Sequence, residues 1–281
     1  MSELSIRKVR LAFPRRSRPP LVALDDIDIT LPEKQFAVIV GPSGCGKSSL
    51  LYLVAGLTEP SGGELLLDGR RIEGSGRDRG MVFQSYTLFP WLTVRGNVAF
   101  GLRLRGVADA EVRATVDRYI REVGLNGFED AYPKQLSGGM MQRVALARAM
   151  ANDPEILLMD EPFGALDSQT RLVMQQLLLR VWEHEHKTVL FVTHDIDEAI
   201  FLGDRVFVMT ARPGRIKEEI AVDLPRPRAA AVTLTPHFIA IKQRILGLLQ
   251  EEVNKSLGLA IATTDDQLDA QSSNAVDSLP P

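Results

Sequence analysis

Gly41-Pro42-Ser43-Gly44-Cys45-Gly46-Lys47-Ser48 is the stretch from which the rest of this 281-residue chain is read. Glycines at its first and sixth places and a closing Lys-Ser match the glycine-rich phosphate loop in full. Phe36–Val40 before it is a short apolar β-type run, and Ser49–Ala55 after it continues as a helix, which is the strand-loop-helix context the motif needs. The glycines let the backbone curl so that the residues from Gly41 through Ser49 surround one anion, with successive N–H groups, Pro42 excepted, pointing at it, and the helix N-terminus adds partial positive charge. Lys47 is then placed to neutralise β- and γ-phosphate oxygens, and the Ser48 hydroxyl to ligate a magnesium ion. Cys45 sits among inward-pointing N–H groups, where a thiolate is expected to be favoured and bound nucleotide to slow its alkylation. For chemistry, a residue of this size there need only fill space.

Composition is that of a globular protein, with 45% hydrophobic and 25% charged residues. The net charge of -3 gives no bulk case for nucleic acid. Charge is uneven: Arg7, Lys8, Arg10, Arg15, Arg16 and Arg18 make the start basic, and Asp265, Asp266, Asp269 and Asp277 make the end acidic. One cysteine excludes an internal disulfide framework and is compatible with a reducing cytoplasm. No stretch has the length and apolarity of a signal peptide or a membrane span, so any membrane connection is expected to come through a partner.

Residues 3–13 and 21–31 read as strands, joined by a proline- and arginine-rich loop, Pro14–Pro20. Phe13, just before that loop, is either a core aromatic or a stacking platform for a base. Glu64–Gly69 and Gly80–Gln84 read as short strands. Gln84, leaving the second, is either a turn residue or a ligand contact at the carboxyl edge of a nucleotide-binding sheet. From Ser85 to Asn152 the pattern is helical, with Val112, Val116, Tyr119, Ile120 and Val123 in one stripe. Leu88-Phe89-Pro90-Trp91-Leu92, ahead of that stripe, is either buried or an exposed docking surface. Ser137-Gly138-Gly139 opens another helix, as an ordinary N-cap or as a second anion-binding terminus.

Glu155–Pro162 is an apolar strand ending in two carboxylates, and burying adjacent acids is costly without a cation. Asp160 is suited to hold magnesium and Glu161 to polarise an attacking water. Gly164–Asp167 turns into a long helix, Ser168–His186, whose apolar positions Leu172, Leu179 and Trp182 are only partly periodic. Thr188–Thr193 is a continuous apolar strand, as a parallel sheet buried on both faces requires, and it delivers His194 at its carboxyl end. His184, His186 and His237 read as surface residues, and no cysteine–histidine cluster has metal-ligand spacing. Arg205–Thr210 and Ile216–Leu224 are strand-like, Pro225–Arg228 breaks the pattern, and Phe238–Val253 is an amphipathic helix. Residues from about 258 onward are polar and expected to be disordered.

Phosphate loop, Gln84, Leu136-Ser137-Gly138-Gly139-Met140, Leu157-Leu158-Met159-Asp160-Glu161-Pro162, Gly164-Ala165-Leu166-Asp167 and His194 occur in this order, and with them the chain resembles the ATPase subunits of ABC transporters over roughly residues 4–255. The resemblance implies an α/β fold: a P-loop NTPase (RecA-like) core with an N-terminal antiparallel β-subdomain and an inserted α-helical subdomain at about 86–153. The ATPase domain would span 1–257, leaving 258–281 as a tail. It also implies a head-to-tail dimer in which ATP and Mg2+ lie between the phosphate loop of one subunit and Ser137, Gly138 and Gly139 of the other. Glu161 would be the general base, His194 the γ-phosphate sensor and Asp167 a dimer contact. Gln84 would touch the magnesium and the attacking water, and Phe13 would stack on adenine. The family usually has glutamine at the place of Met140 and serine at that of Gly164.

Ser85–Val94, Asn97–Val107 and Thr210–Ile216 most resemble importers of nitrate, aliphatic sulfonates, taurine and similar small anions. Such systems pair two ATPases with membrane permease subunits, here expected to dock near Gln84–Leu92, and with an extracytoplasmic solute-binding protein. The chain would then work at the cytoplasmic face of the membrane. A soluble ABC ATPase acting on DNA or ribosomes is the other class. Its members carry two cassettes or a long coiled coil, whereas this chain has one cassette and no sustained heptads.

Overall fold

The computed structural model describes residues 3–16 and 18–257. The chain opens with β1 (Leu4–Arg15) and β2 (Arg18–Leu31), an antiparallel hairpin, and enters the central sheet with β3 (Phe36–Val40). The phosphate loop leads into α1 (Lys47–Val54). Next come β4 (Gly62–Leu67), β5 (Arg70–Arg71) and β6 (Arg79–Val82). Three helices follow: α2 (Val94–Leu104), α3 (Asp109–Glu122) and α4 (Gly138–Met150). The chain then alternates through β7 (Ile156–Asp160), α5 (Ser168–Glu185), β8 (Thr188–Val192), α6 (Ile196–Leu202) and β9 (Arg205–Met209). It closes with β10 (Ile216–Ala221) and α7 (Pro236–Leu257).

Two sheets result. The smaller has the order β2-β1-β4-β5; the larger runs β10-β9-β3-β8-β7-β6 and is parallel except for β10. Because side chains alternate along a strand, each central strand serves two cores. Phe36, Val38 and Val40 of β3 join the core built with α2 to α7, and Ala37 and Ile39 join the one built with α1 and the small sheet. The strands β7 and β8 alternate in the same way. A parallel sheet covered on both faces explains why β3, β7 and β8 are apolar along nearly their whole length.

The stripe expected on Asp109–Gly124 is buried at Val112, Val116, Tyr119, Ile120 and Val123. One local expectation is corrected. Pro14–Pro20 is not a loop, since β1 continues to Arg15 and β2 resumes at Arg18, with Arg15 and Arg18 paired in register. Here β1 has passed its last partner on β4 at Arg10, so the ribbon is two-stranded and its outer edges have no ladder for a proline to interrupt. On α5, Leu172 is exposed; Met174, Leu177, Leu178 and Val181, with Leu179 and Trp182, make the buried face. The acidic tail lies outside the described residues.

Candidate functional site

The carboxyl ends of the parallel strands assemble the site, as they do in open α/β sheets. The end of β3 releases the phosphate loop, that of β7 presents Asp160 and Glu161, and His194 follows β8 by two residues. Gln84 follows β6 and is exposed in a bend. At Gly46 the backbone has φ 111, and a Cβ there would lie 2.7 Å from Leu24 Cδ2, so conformation and packing both require glycine. Lys47 is buried, and its Nζ donates to the carbonyls of Gly41 (2.8 Å) and Pro42 (3.2 Å).

Alternation along β7 puts Asp160 on the α1 face, where Ser48 Oγ donates to its Oδ1 at 2.8 Å. Burial pushes the Asp160 carboxyl above its usual range, against the hydrogen bonds from Ser48 and Tyr52. The hydroxyl and carboxylate form a hard oxygen pair of the kind that suits Mg2+. Glu161 has left the strand with φ 43, a left-handed conformation unusual for a side-chain-bearing residue and held by its N–H bond to Val192 O (2.9 Å). That turn aims the Glu161 carboxylate at His194, whose Nδ1 lies 3.0 Å from Oε2.

A cavity of about 280 Å³ over the phosphate loop is lined by Phe13, Leu21, Ala23, Ser43, Gly44, Gly46 to Ser49, Glu161 and Arg212. Phe13, in β1 opposite Leu21, is 43% exposed, with its ring at this cavity. The fold therefore brings together the residues from the loop, β1 and β7. Ser137, Gly138, Gly139 and Asp167 do not line the cavity. Ser137 caps α4, its Oγ accepting from Met140 N at 3.3 Å, and the Met140 side chain packs on the helical core. Asp167 caps α5 through Gln169 and Thr170, and hydrogen bonds from Thr170 hold its carboxyl below the usual range.

Cys45 requires a correction. It is 1% exposed, and burial pushes its thiol up despite the charge of Lys47 and the backbone N–H groups, so the thiolate is disfavoured. Arg212 was missed because its place at the loop is set by β9 lying beside β3, which no local spacing encodes. Glu122, His184 and Glu185 also meet in space, but Arg118 pairs with both carboxylates, and with its cation between them they make a poor metal site.

A phosphate loop between a parallel strand and a helix, an acid pair at the end of a parallel strand two places along the same sheet and a cavity over the loop define a nucleotide-binding P-loop fold. Residues 24–164 match the ABC transporter family. An ABC transporter ATP-binding protein of Methanocaldococcus jannaschii is 56% identical over 84% of this chain and 87% of its own length. The nitrate import ATP-binding protein of Synechocystis sp. is 46% identical over 83% and 90%, and the aliphatic sulfonates import ATP-binding protein of Bacillus licheniformis 47% over 86% and 92%. A solved dimeric ATP-binding cassette in a post-hydrolysis state with ADP and Pi superposes with a TM-score of 0.70 at 33% identity, covering 79% of this chain and all of that one. The chain belongs to the ABC transporter family and is an ATPase of the ABC cassette type. No helix among the described residues is long and apolar enough to cross a membrane.

Proposed function

We propose that this chain is the ATP-hydrolysing subunit of an importer for a small anion, acting as a head-to-tail dimer beneath membrane permease subunits. The observation that carries the chemistry is the grouping of Phe13, the phosphate loop and Glu161 on one cavity, with His194 bonded to Glu161. Adenine stacks on Phe13, and the N–H groups of Gly41 to Ser49, Pro42 excepted, and the Lys47 ammonium hold the phosphates. Ser48, Asp160 and Gln84 would hold Mg2+, which when bound neutralises charge on the phosphate oxygens. Glu161 accepts a proton from the water that attacks the γ-phosphorus, and His194 orients Glu161 and contacts the γ-phosphate.

Since Ser137, Gly138 and Gly139 lie off this cavity, they serve the site of a second copy, with Asp167 at the same interface. That reading is supported by the dimeric cassettes this chain resembles. The anion class rests on likeness to the nitrate and sulfonate import proteins. Permease docking is supported by a groove of about 540 Å³ that includes Phe83, Phe89, Phe100, Leu104 and Arg148, beside which Trp91 is 69% exposed. In this reading residues 1–257 form the ATPase domain, 86–153 its helical insert, and an extracytoplasmic solute-binding protein completes the complex. The chain sits peripherally on the cytoplasmic face.

Glu161→Gln tests the chemistry. ATP affinity should stay within about twofold while phosphate release falls by about a thousandfold; wild-type turnover would remove Glu161 from the role of base.

A further inference from the structure

Arg212 belongs to none of the roles assigned above, yet it stands at the nucleotide cavity on an unusually well-held turn. Thr210 and Arg215 close that turn through Thr210 N to Arg215 O (2.9 Å), Arg215 N to Thr210 Oγ1 (3.0 Å) and Thr210 Oγ1 to Pro213 O (2.9 Å). It is pinned to β2 by Gly214 N to Ala23 O (2.9 Å), Asp25 N to Gly214 O (3.0 Å) and the Arg215–Asp25 ion pair. A Cβ on Gly214 would lie 2.2 Å from Cys45 O, so the turn rests directly on the phosphate loop. From the far side Glu252 of α7, itself paired with Lys217, accepts a bond from Ala211 N at 3.1 Å.

On this rigid base the Arg212 guanidinium makes one bond, Nη2 to Gly44 O at 2.9 Å, and no ion pair among the described residues. Four of its five N–H donors are therefore uncommitted at the edge of the cavity lined by Phe13, Gly44 and Lys47. An exposed arginine with no carboxylate, held beside a loop built to bind phosphate, is a ready charge-assisted donor. The field of Arg212 already reaches into the loop, where it lowers the Cys45 pKa against the larger effect of burial.

We propose that Arg212 is a nucleotide-binding residue whose guanidinium contacts the phosphate tail of the bound nucleotide; this rests on the ATP site described above. Lys47 and Arg212 then flank the loop tip, one from inside the fold and one from its rim.

Equilibrium titration of the full-length chain with ATP and with ADP tests the assignment. Arg212→Ala and Arg212→Gln should each weaken both nucleotides by about tenfold, while Arg212→Lys stays within about threefold of wild type. Glutamine still donates to Gly44 O, so it separates the loss of charge from the loss of a loop brace. Wild-type affinity should also fall more steeply with added salt than that of Arg212→Ala. Arg212 is exposed, so the melting temperature should not change. Wild-type affinity in Arg212→Gln or Arg212→Ala would overturn the proposal. Lys47→Ala in the same series should abolish binding; if it binds normally, the ATP site itself is misplaced, an outcome distinct from failure at Arg212 alone.

Discussion

Glu161 concentrates the chemistry at the scale of single residues. Its left-handed backbone would be relieved by glycine, and the turn it makes aims its carboxylate at His194. His194→Ala should therefore cost about a hundredfold in phosphate release with little change in ATP affinity; an unchanged rate would leave the histidine a surface residue. Cys45 illustrates the opposite relation between residue and fold. Its neighbours favour a thiolate, but burial outweighs them, so iodoacetamide should label it far more slowly than a free thiol at pH 7.5, with the rate still rising above pH 9. Fast labelling at neutral pH would show the loop to be open. Glu198 behaves similarly. Burial raises its pKa despite hydrogen bonds from Thr193 and Gln175, with Asp195 opposing ionisation and Arg171 favouring it. A raised native pKa means stability present at low pH is lost as pH rises above the ordinary glutamate range. Glu198→Gln should thus melt higher than wild type at pH 8, and the gap should close near pH 4; a lower melting temperature at pH 8 would contradict this.

Elements differ in how far the sequence reveals them. The α3 stripe, the buried strands β3, β7 and β8, and the motifs at their ends were legible because each rests on local spacing. The β1 and β2 strands were legible too, but not their continuation through Pro14, Pro19 and Pro20, because whether prolines break a ladder depends on which edges lack partners. Nor was Arg212, whose position follows from strand order. Arg228 is a third case. In sequence it sits in a proline-broken stretch, but its side chain is 1% exposed and binds the carbonyls of Ile200, Phe201 and Gly203 at the end of α6 and those of Val222 and Leu224 beyond β10. Burial, with Arg226 nearby, pushes its pKa down to about 10. Arg228→Met should cost roughly 3 kcal/mol in denaturant unfolding, since it strands several carbonyls; a loss below about 1 kcal/mol would contradict that capping role. Ser137→Ala removes the α4 cap, worth about 1 kcal/mol. If the cap also serves a partner's nucleotide, turnover should drop while ATP binding by the monomer stays the same.

For the whole molecule, the carboxyl edge of the sheet faces one way and gathers the loop, Asp160, Glu161, His194 and Arg212, while Ser137–Gly139 start a helix elsewhere. One copy thus holds half of the proposed site, and transport would follow from closing two copies together. Trp91 packs on Phe89 beside the groove, and its exposure means Trp91→Ala should leave stability and basal ATPase activity intact but, if the proposed permease docks here, release the chain from it in co-purification. The decisive measurement is the solution mass of Glu161→Gln by light scattering, with and without saturating MgATP. A composite site predicts a shift from the 31.0 kDa chain to twice that mass, reversed when ATP is removed. A chain that binds ATP and stays at the monomer mass would contradict it.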